Sequence, residues 1–178
     1  MLVTEKFSKI PTDLLAPLGL IKTNKGGYLC TPVNAVTFAT IGVDGIHFCI
    51  IPEINDLTRE CSPVYVISPM MFDNEVNIVA KNFYDFISLV IKIKDASRLE
   101  CISYFNYLPE GSFLEGTQNE EPDESYEAEV NAAIAALSEA FHGNLREIND
   151  VYAYVKKLQA ETDLSTIQYS DEYYEVNS

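Results

Sequence analysis

The sequence predicts an α+β fold: a central antiparallel sheet of four or more strands flanked by helices, with a helical hairpin towards the C-terminus. Three observations carry this expectation. Residues 34–52, NAVTFATIGVDGIHFCIIP, are two apolar, β-branched runs joined across Val43-Asp44-Gly45. Asp-Gly tolerates the positive φ angles of a tight, right-twisted turn, so the segment reads as a hairpin. Further strand-like runs follow closely, and sequential strands of this kind pair as an antiparallel meander. Beyond residue 82 the apolar spacing becomes helical.

The elements follow in order. Residues 1–33 are interrupted by Pro11, Pro17, Gly19, Gly26, Gly27 and Pro32. A short helix at 12–18, a Gly26-Gly27 turn and a short strand at Tyr28-Leu29-Cys30 are expected there. Strands at 35–41 and 46–51 form the hairpin. The run at 46–51 is nearly all apolar, which predicts a strand buried on both faces. A turn-rich link, 52–63, leads to a third strand at 64–68. Pro69 ends it, because proline cannot donate to a ladder. A short fourth strand occupies 77–80. Asn82 and Asp85 stand as N-cap and N3, each able to satisfy an amide of the first turn. Phe83, Phe86, Ile87 and Val90 give that helix its apolar stripe. Ser97 and Glu100 form a capping-box pattern for a second helix whose face holds Leu99, Ile102 and Phe105.

Residues 109–125 are polar, with little to bury. An alanine-rich helix at 126–142 carries Val130, Ile134, Leu137 and Phe141, and Gly143-Asn144 closes it with residues that accept a left-handed conformation. A last helix at 145–160 aligns Leu145, Ile148, Val151, Val155 and Leu158, completing the hairpin. The whole, 1–178, is expected to be one domain. Its core spans about 30–95, its helical elaboration about 125–160 and its acidic tail 164–178.

The 178 residues carry a net charge of −15, which disfavours nucleic acid as a partner because that needs a basic face. The charge is uneven. Residues 1–100 have a net of −2 and residues 101–178 a net of −13. Concentrated negative charge steers basic partners towards one end of a molecule. No apolar run approaches the roughly 20 residues that span a bilayer. The segment MLVTEKFSKIPTDLL lacks the basic-then-apolar pattern of a signal peptide. The expectation is a cytoplasmic protein with no membrane contact.

Candidate chemistry is sparse. Cys30, Cys49, Cys61 and Cys101 include no Cys-x-x-Cys pair, so structural thiols are expected and no metal or other cofactor. His47 and Cys49 point to one side of their strand, the arrangement of a nucleophile and its base. Their α-carbons would stand about 7 Å apart, which favours a half-buried histidine with one hydrogen bond. Asp44 is explained by turn chemistry. Gly26-Gly27 lacks the spacing of a phosphate loop. The acidic cluster Glu120, Glu121, Asp123, Glu124, Glu127 and Glu129 has three readings. It is a calcium ligand set, although Pro122 interrupts it. It is a solvated loop beside a helix N-terminus, where negative charge is favourable. Or it is a docking surface for a basic partner, a reading that Tyr169, Tyr173 and Tyr174 of the tail strengthen.

Phe38-Ala39-x-x-Gly42-x-Asp44-Gly45-x-His47-Phe48 resembles the central hairpin of the SUKH superfamily. Pro63-Val64-Tyr65-Val66-Ile67-Ser68-Pro69 looks like the strand that follows it in that family. Val79-Ala80-Lys81-Asn82-Phe83-Tyr84-Asp85-Phe86-Ile87 looks like its aromatic helix entry. The likeness covers about residues 30–95. Towards the N-terminus, Ile10-Pro11 and Lys25-Gly26-Gly27 stand where the family pattern has Leu-Pro and Asn-Gly-Gly.

The resemblance implies an α+β domain that binds proteins and has no catalytic residues. Bacterial members are typically immunity proteins that neutralise toxins, often nucleases, and fungal relatives regulate cell-wall synthesis. The expected function is therefore toxin neutralisation by direct binding, without enzymatic activity. Glu120, Glu121, Asp123, Glu124 and Glu127 are the candidate contacts for a basic toxin domain. The alternatives are a regulatory or scaffold module, or an enzyme built around Asp44, His47 and Cys49 that acts on a small molecule or holds a metal.

Overall fold

The computed structural model describes residues 2–53, 55–104 and 123–177. Its centre is a five-stranded antiparallel sheet whose strands lie side by side in chain order. These are β1 (Ile21–Lys22), β2 (Val36–Thr40), β3 (His47–Ile50), β4 (Val64–Ile67) and β5 (Val76–Ala80). The expected hairpin is β2–β3. Asp44 and Gly45 have φ of 51° and 71°, and the Ile46 amide donates to the Val43 carbonyl at 3.0 Å. Two successive positive φ angles match the turn to the twist of its strands. A Cβ at Gly45 would lie 2.3 Å from the Tyr28 ring, so a larger residue there would displace that ring.

Two N-terminal findings differ from expectation. Residues 28–30 are not a strand. The Thr31 amide donates back to the Tyr28 carbonyl, closing a turn, and the Tyr28 ring stacks on His47. The extra strand is instead β1, which pairs with Ala39 and Thr40 of β2. Ahead of it stand α1 (Val3–Ser8), α2 (Thr12–Leu15) and a 3-10 turn (Ala16–Leu18). The last two occupy the expected short helix. Lys22 Nζ donates to the carbonyls of Ser8 and Ile10, tying β1 to the end of α1.

The first sheet face packs on α3 (Phe83–Ile93) and α1. Phe7, Phe38, Phe48, Phe83, Phe86 and Phe141 form a connected cluster, with Phe38 5.1 Å from Phe83 and 5.3 Å from Phe86 between ring centroids. Asn82 caps α3 as expected, accepting the Asp85 amide at 2.8 Å. Asp85 does not return the bond to Asn82. Its buried carboxylate takes Arg146 Nε and a terminal guanidinium nitrogen at 2.5 Å each and the Tyr154 hydroxyl at 2.7 Å. A two-pronged cation and a phenol outcompete one helix-end amide for a desolvated carboxylate. The next helix, α4 (Ser97–Tyr104), differs in the same way. Asp95 accepts both the Ser97 amide and its hydroxyl, while the buried Glu100 accepts the Ser68 hydroxyl on β4's end. Phe105 lies outside the described residues.

The C-terminal helices are α5 (Glu124–Ala140) and α6 (Val151–Glu161). Val130, Ala133 and Leu137 of α5 are buried, and Gly143 has the expected positive φ of 83°. Residues 145–150 are not helical, contrary to the expected start of the last helix. Asp150 is the N-cap of α6, accepting the Ala153 amide, and Arg146 is drawn to Asp85. The α6 helix covers the edge of the sheet at β5. Gln159 Nε2 donates to the Ile78 carbonyl and the Lys81 amide donates to the Tyr154 hydroxyl. Covering an open edge removes a template for stray pairing.

The prediction that β3 is buried on both faces holds. Cys30, Cys49, Tyr65, Ile67, Val76 and Ile78 form a second apolar cluster on the reverse face. The tail covers it. Leu158, Leu164, Ile167, Tyr169 and Tyr173 pack there, and the Val33 amide donates to the Gln168 carbonyl at 3.0 Å. The tail holds a 3-10 turn (Leu164–Thr166) and α7 (Asp171–Val176).

Candidate functional site

The acidic candidates lie where α5 begins. Asp123 is its N-cap, and its carboxylate accepts the Ser125 amide at 2.9 Å. Glu124 and Glu127 occupy the first turn, and every residue from 123 to 129 is exposed. Free amides and the helix dipole favour negative charge there. Glu120 and Glu121 lie outside the described residues. The turn is anchored by Tyr126, which is 52% exposed and whose hydroxyl donates to the Pro17 carbonyl at 2.9 Å. The carboxylates therefore stand on a tethered support beside the 3-10 turn at 16–18. Among the described residues no three His, Cys, Asp or Glu side chains converge to hold a metal ion.

The His47 side chain is buried. Its Nδ1 lies 2.8 Å from the Gly45 carbonyl and its Nε2 3.2 Å from the Thr31 hydroxyl. A carbonyl only accepts, so Nδ1 carries the proton and Nε2 receives the threonine hydroxyl. Burial lowers the imidazole pKa, and the bond to Gly45 offsets part of that. Cys49 shares the strand side but is fully enclosed, and desolvation holds its thiol far above the ordinary value. Both His47 nitrogens are engaged away from Cys49, and Asp44 sits at the turn tip. The trio is not assembled as a nucleophile, base and orienting acid. A cleft of about 360 Å³ opens beside Lys25, Tyr28, Thr40 and His47.

Two arrangements were not anticipated from the sequence. One is the Asp85–Arg146–Tyr154 network, for which the sequence signal was Arg146, one of three cations beyond residue 100. The other is Asp56, whose carboxylate organises the 52–63 link. It accepts the amides of Glu60, Cys61 and Ser62 and the Ser62 hydroxyl. Partial desolvation raises its pKa, but the bonds from Ser62, Cys61 and Thr58 outweigh that and lower it overall.

Among the described residues no helix is long and apolar enough to cross a membrane. Comparison with protein-family models, curated proteins and solved structures finds no significant match to this chain.

Proposed function

We propose that this chain is an immunity protein of the SUKH type. It acts in the cytoplasm, has no enzymatic activity, and neutralises a cognate toxin by binding it directly. The toxin is a nuclease with a basic active site. The observation that carries the reading is the exposed acidic turn 123–129, held in place by the Asp123 cap and the Tyr126 anchor. A nuclease site holds phosphates and is basic, so a fixed cluster of carboxylates gains association rate against it. The net charge of −15 supports the same direction of attraction. The hairpin resemblance at 38–48 supports the class of partner.

The test is the rate of association with the toxin encoded beside this protein, measured by stopped flow at several salt concentrations. Glu120, Glu121 and Glu124 are changed to Gln and Asp123 to Asn. Asn caps a helix as well as Asp does, so Tm should stay nearly constant. Association should slow and its salt dependence should flatten, while dissociation changes less. An unchanged association rate at low salt would return these residues to the role of a solvated helix start. The regulatory or scaffold alternative gives the same kinetics with a partner that is no toxin.

A further inference from the structure

The cleft beside His47 is chemically unlike the rest of this acidic molecule. It measures about 360 Å³ and lies between the loop at 23–28 and the hairpin of β2 and β3. Lys25 and Tyr28 line it from the loop, Thr40 and His47 from the hairpin. The chain holds 27 acids against 12 Lys and Arg, yet no Asp or Glu lines this cleft. The acid beside it in sequence, Asp44, is exposed at the turn tip and is not part of the lining.

The lining offers donors that no protein acceptor uses. The Lys25 amide donates to Thr23 Oγ1 at 3.1 Å, which shapes the loop, while Lys25 Nζ has no acceptor among the described residues. The Tyr28 hydroxyl has none either, and the residue is 48% exposed. Its ring stacks on His47 with centroids 5.8 Å apart, so the hydroxyl is held beside Gly45. The amides of Gly26 and Gly27 also lack an acceptor among the described residues. Gly27 has a φ of 123°, and a Cβ there would meet nothing within 4 Å, so the space beside its backbone is open. His47 itself is a wall, because both ring nitrogens are engaged by Gly45 and Thr31. No helix begins here, so the positive charge is that of a side chain and not of a phosphate loop.

A lysine, a phenol and free amides around one acid-free cleft complement an oxyanion, which only accepts hydrogen bonds and gains most from charged donors. The volume is that of a small-molecule site. We propose that this cleft binds a small molecule through a carboxylate or phosphate group, with Lys25 Nζ, the Tyr28 hydroxyl and the Gly26-Gly27 backbone as its donors. The site does not depend on the acidic turn of α5 or on the toxin reading.

The experiment titrates the isotope-labelled full chain with inorganic phosphate and, separately, with acetate, and follows amide shifts. Chloride at matched ionic strength is the control. Shifts should saturate and concentrate at 23–28 and 40–47 with phosphate, with acetate or with both, and the anion that saturates identifies the group. Lys25→Gln should weaken binding about tenfold, as loss of a charge-assisted bond does. Tyr28→Phe keeps the ring over His47 and should weaken it about threefold. Lys92→Gln makes the same change of net charge at an exposed site on α3 and should leave binding unaltered. Shifts that chloride reproduces, that never saturate or that saturate elsewhere on the surface overturn the proposal. Equal losses from Lys25→Gln and Lys92→Gln overturn it too, since they would reflect net charge alone.

Discussion

On one side of the sheet, Phe38 and Phe48 meet Phe7, Phe83 and Phe86, and these rings have almost no contact with water. On the other side, Cys49, Tyr65 and Ile67 are buried beneath residues that are themselves only partly covered, among them Leu158, Ile167, Tyr169 and Tyr173. The rings that lie only partly covered there, Tyr169 and Tyr173, are tyrosines, whereas the phenylalanines of the first face are buried. Phenylalanine fills a dry site with no polar atom to satisfy. Tyrosine suits a site where one ring edge is packed and the hydroxyl is wet. The two faces also close differently along the chain. Much of the phenylalanine face is sealed by α3, immediately after the strands. The tyrosine face waits for a tail about a hundred residues beyond β3. The first face is thus the foundation of the fold, and the second is a cover.

This contrast is open to measurement. Phe38→Ala should cost about 3–5 kcal/mol in urea unfolding, because a buried ring touching four others leaves a cavity that its rigid neighbours cannot fill. Tyr173→Ala should cost less, about 1–2 kcal/mol, since its ring is only partly buried. It should also speed native-state labelling of Cys30 and Cys49 in a Cys61→Ser background, because those buried thiols lie under the tail. Equal costs for the two substitutions, with no change in labelling, would make the faces a single core.

The smallest effect belongs to His47, on the same strand side as Cys49. Burial lowers its folded pKa. Below the unfolded value of about 6.5 the unfolded chain therefore binds more protons than the folded one. The stability tied to His47 is fully present above that value and is lost as pH falls towards the folded pKa. His47→Gln should flatten this part of the Tm–pH curve. A curve of unchanged slope would mean that the imidazole is as accessible to protons when folded as when unfolded.

Much of the sheet was legible because its signals are local. Asp44-Gly45 states its own turn, β-branched runs state their strands, and Pro69 states where one ends. The stripe of Phe83, Phe86, Ile87 and Val90 likewise declares α3 and its buried side. The candidate site was legible only as composition. The acids at 123–127 read as charge beside a helix start, and that is where the described ones sit. Which partner they meet is not a local property. The mistaken elements share one cause. Tyr28-Leu29-Cys30 has the makeup of a strand, but the Tyr28 ring finds His47 across space. Residues 145–150 have helical spacing, but Arg146 finds Asp85.

What the sequence determined by itself is the α+β order of elements, the hairpin tip, the Asn82 cap and the burial of β3 on both sides. These depend on residues within a few positions of one another, where backbone preference and apolar period suffice. What only the tertiary structure decided is where the long-range partners of buried polar groups lie. Asp85 left its own helix end for Arg146 and Tyr154, and Glu100 turned inward to Ser68. The tail became the cover of the sheet's reverse face and not a free acidic extension. A desolvated carboxylate takes the strongest donor that packing brings within reach, and an exposed apolar sheet face takes whatever chain can cover it. Neither choice is written in the spacing of neighbouring residues.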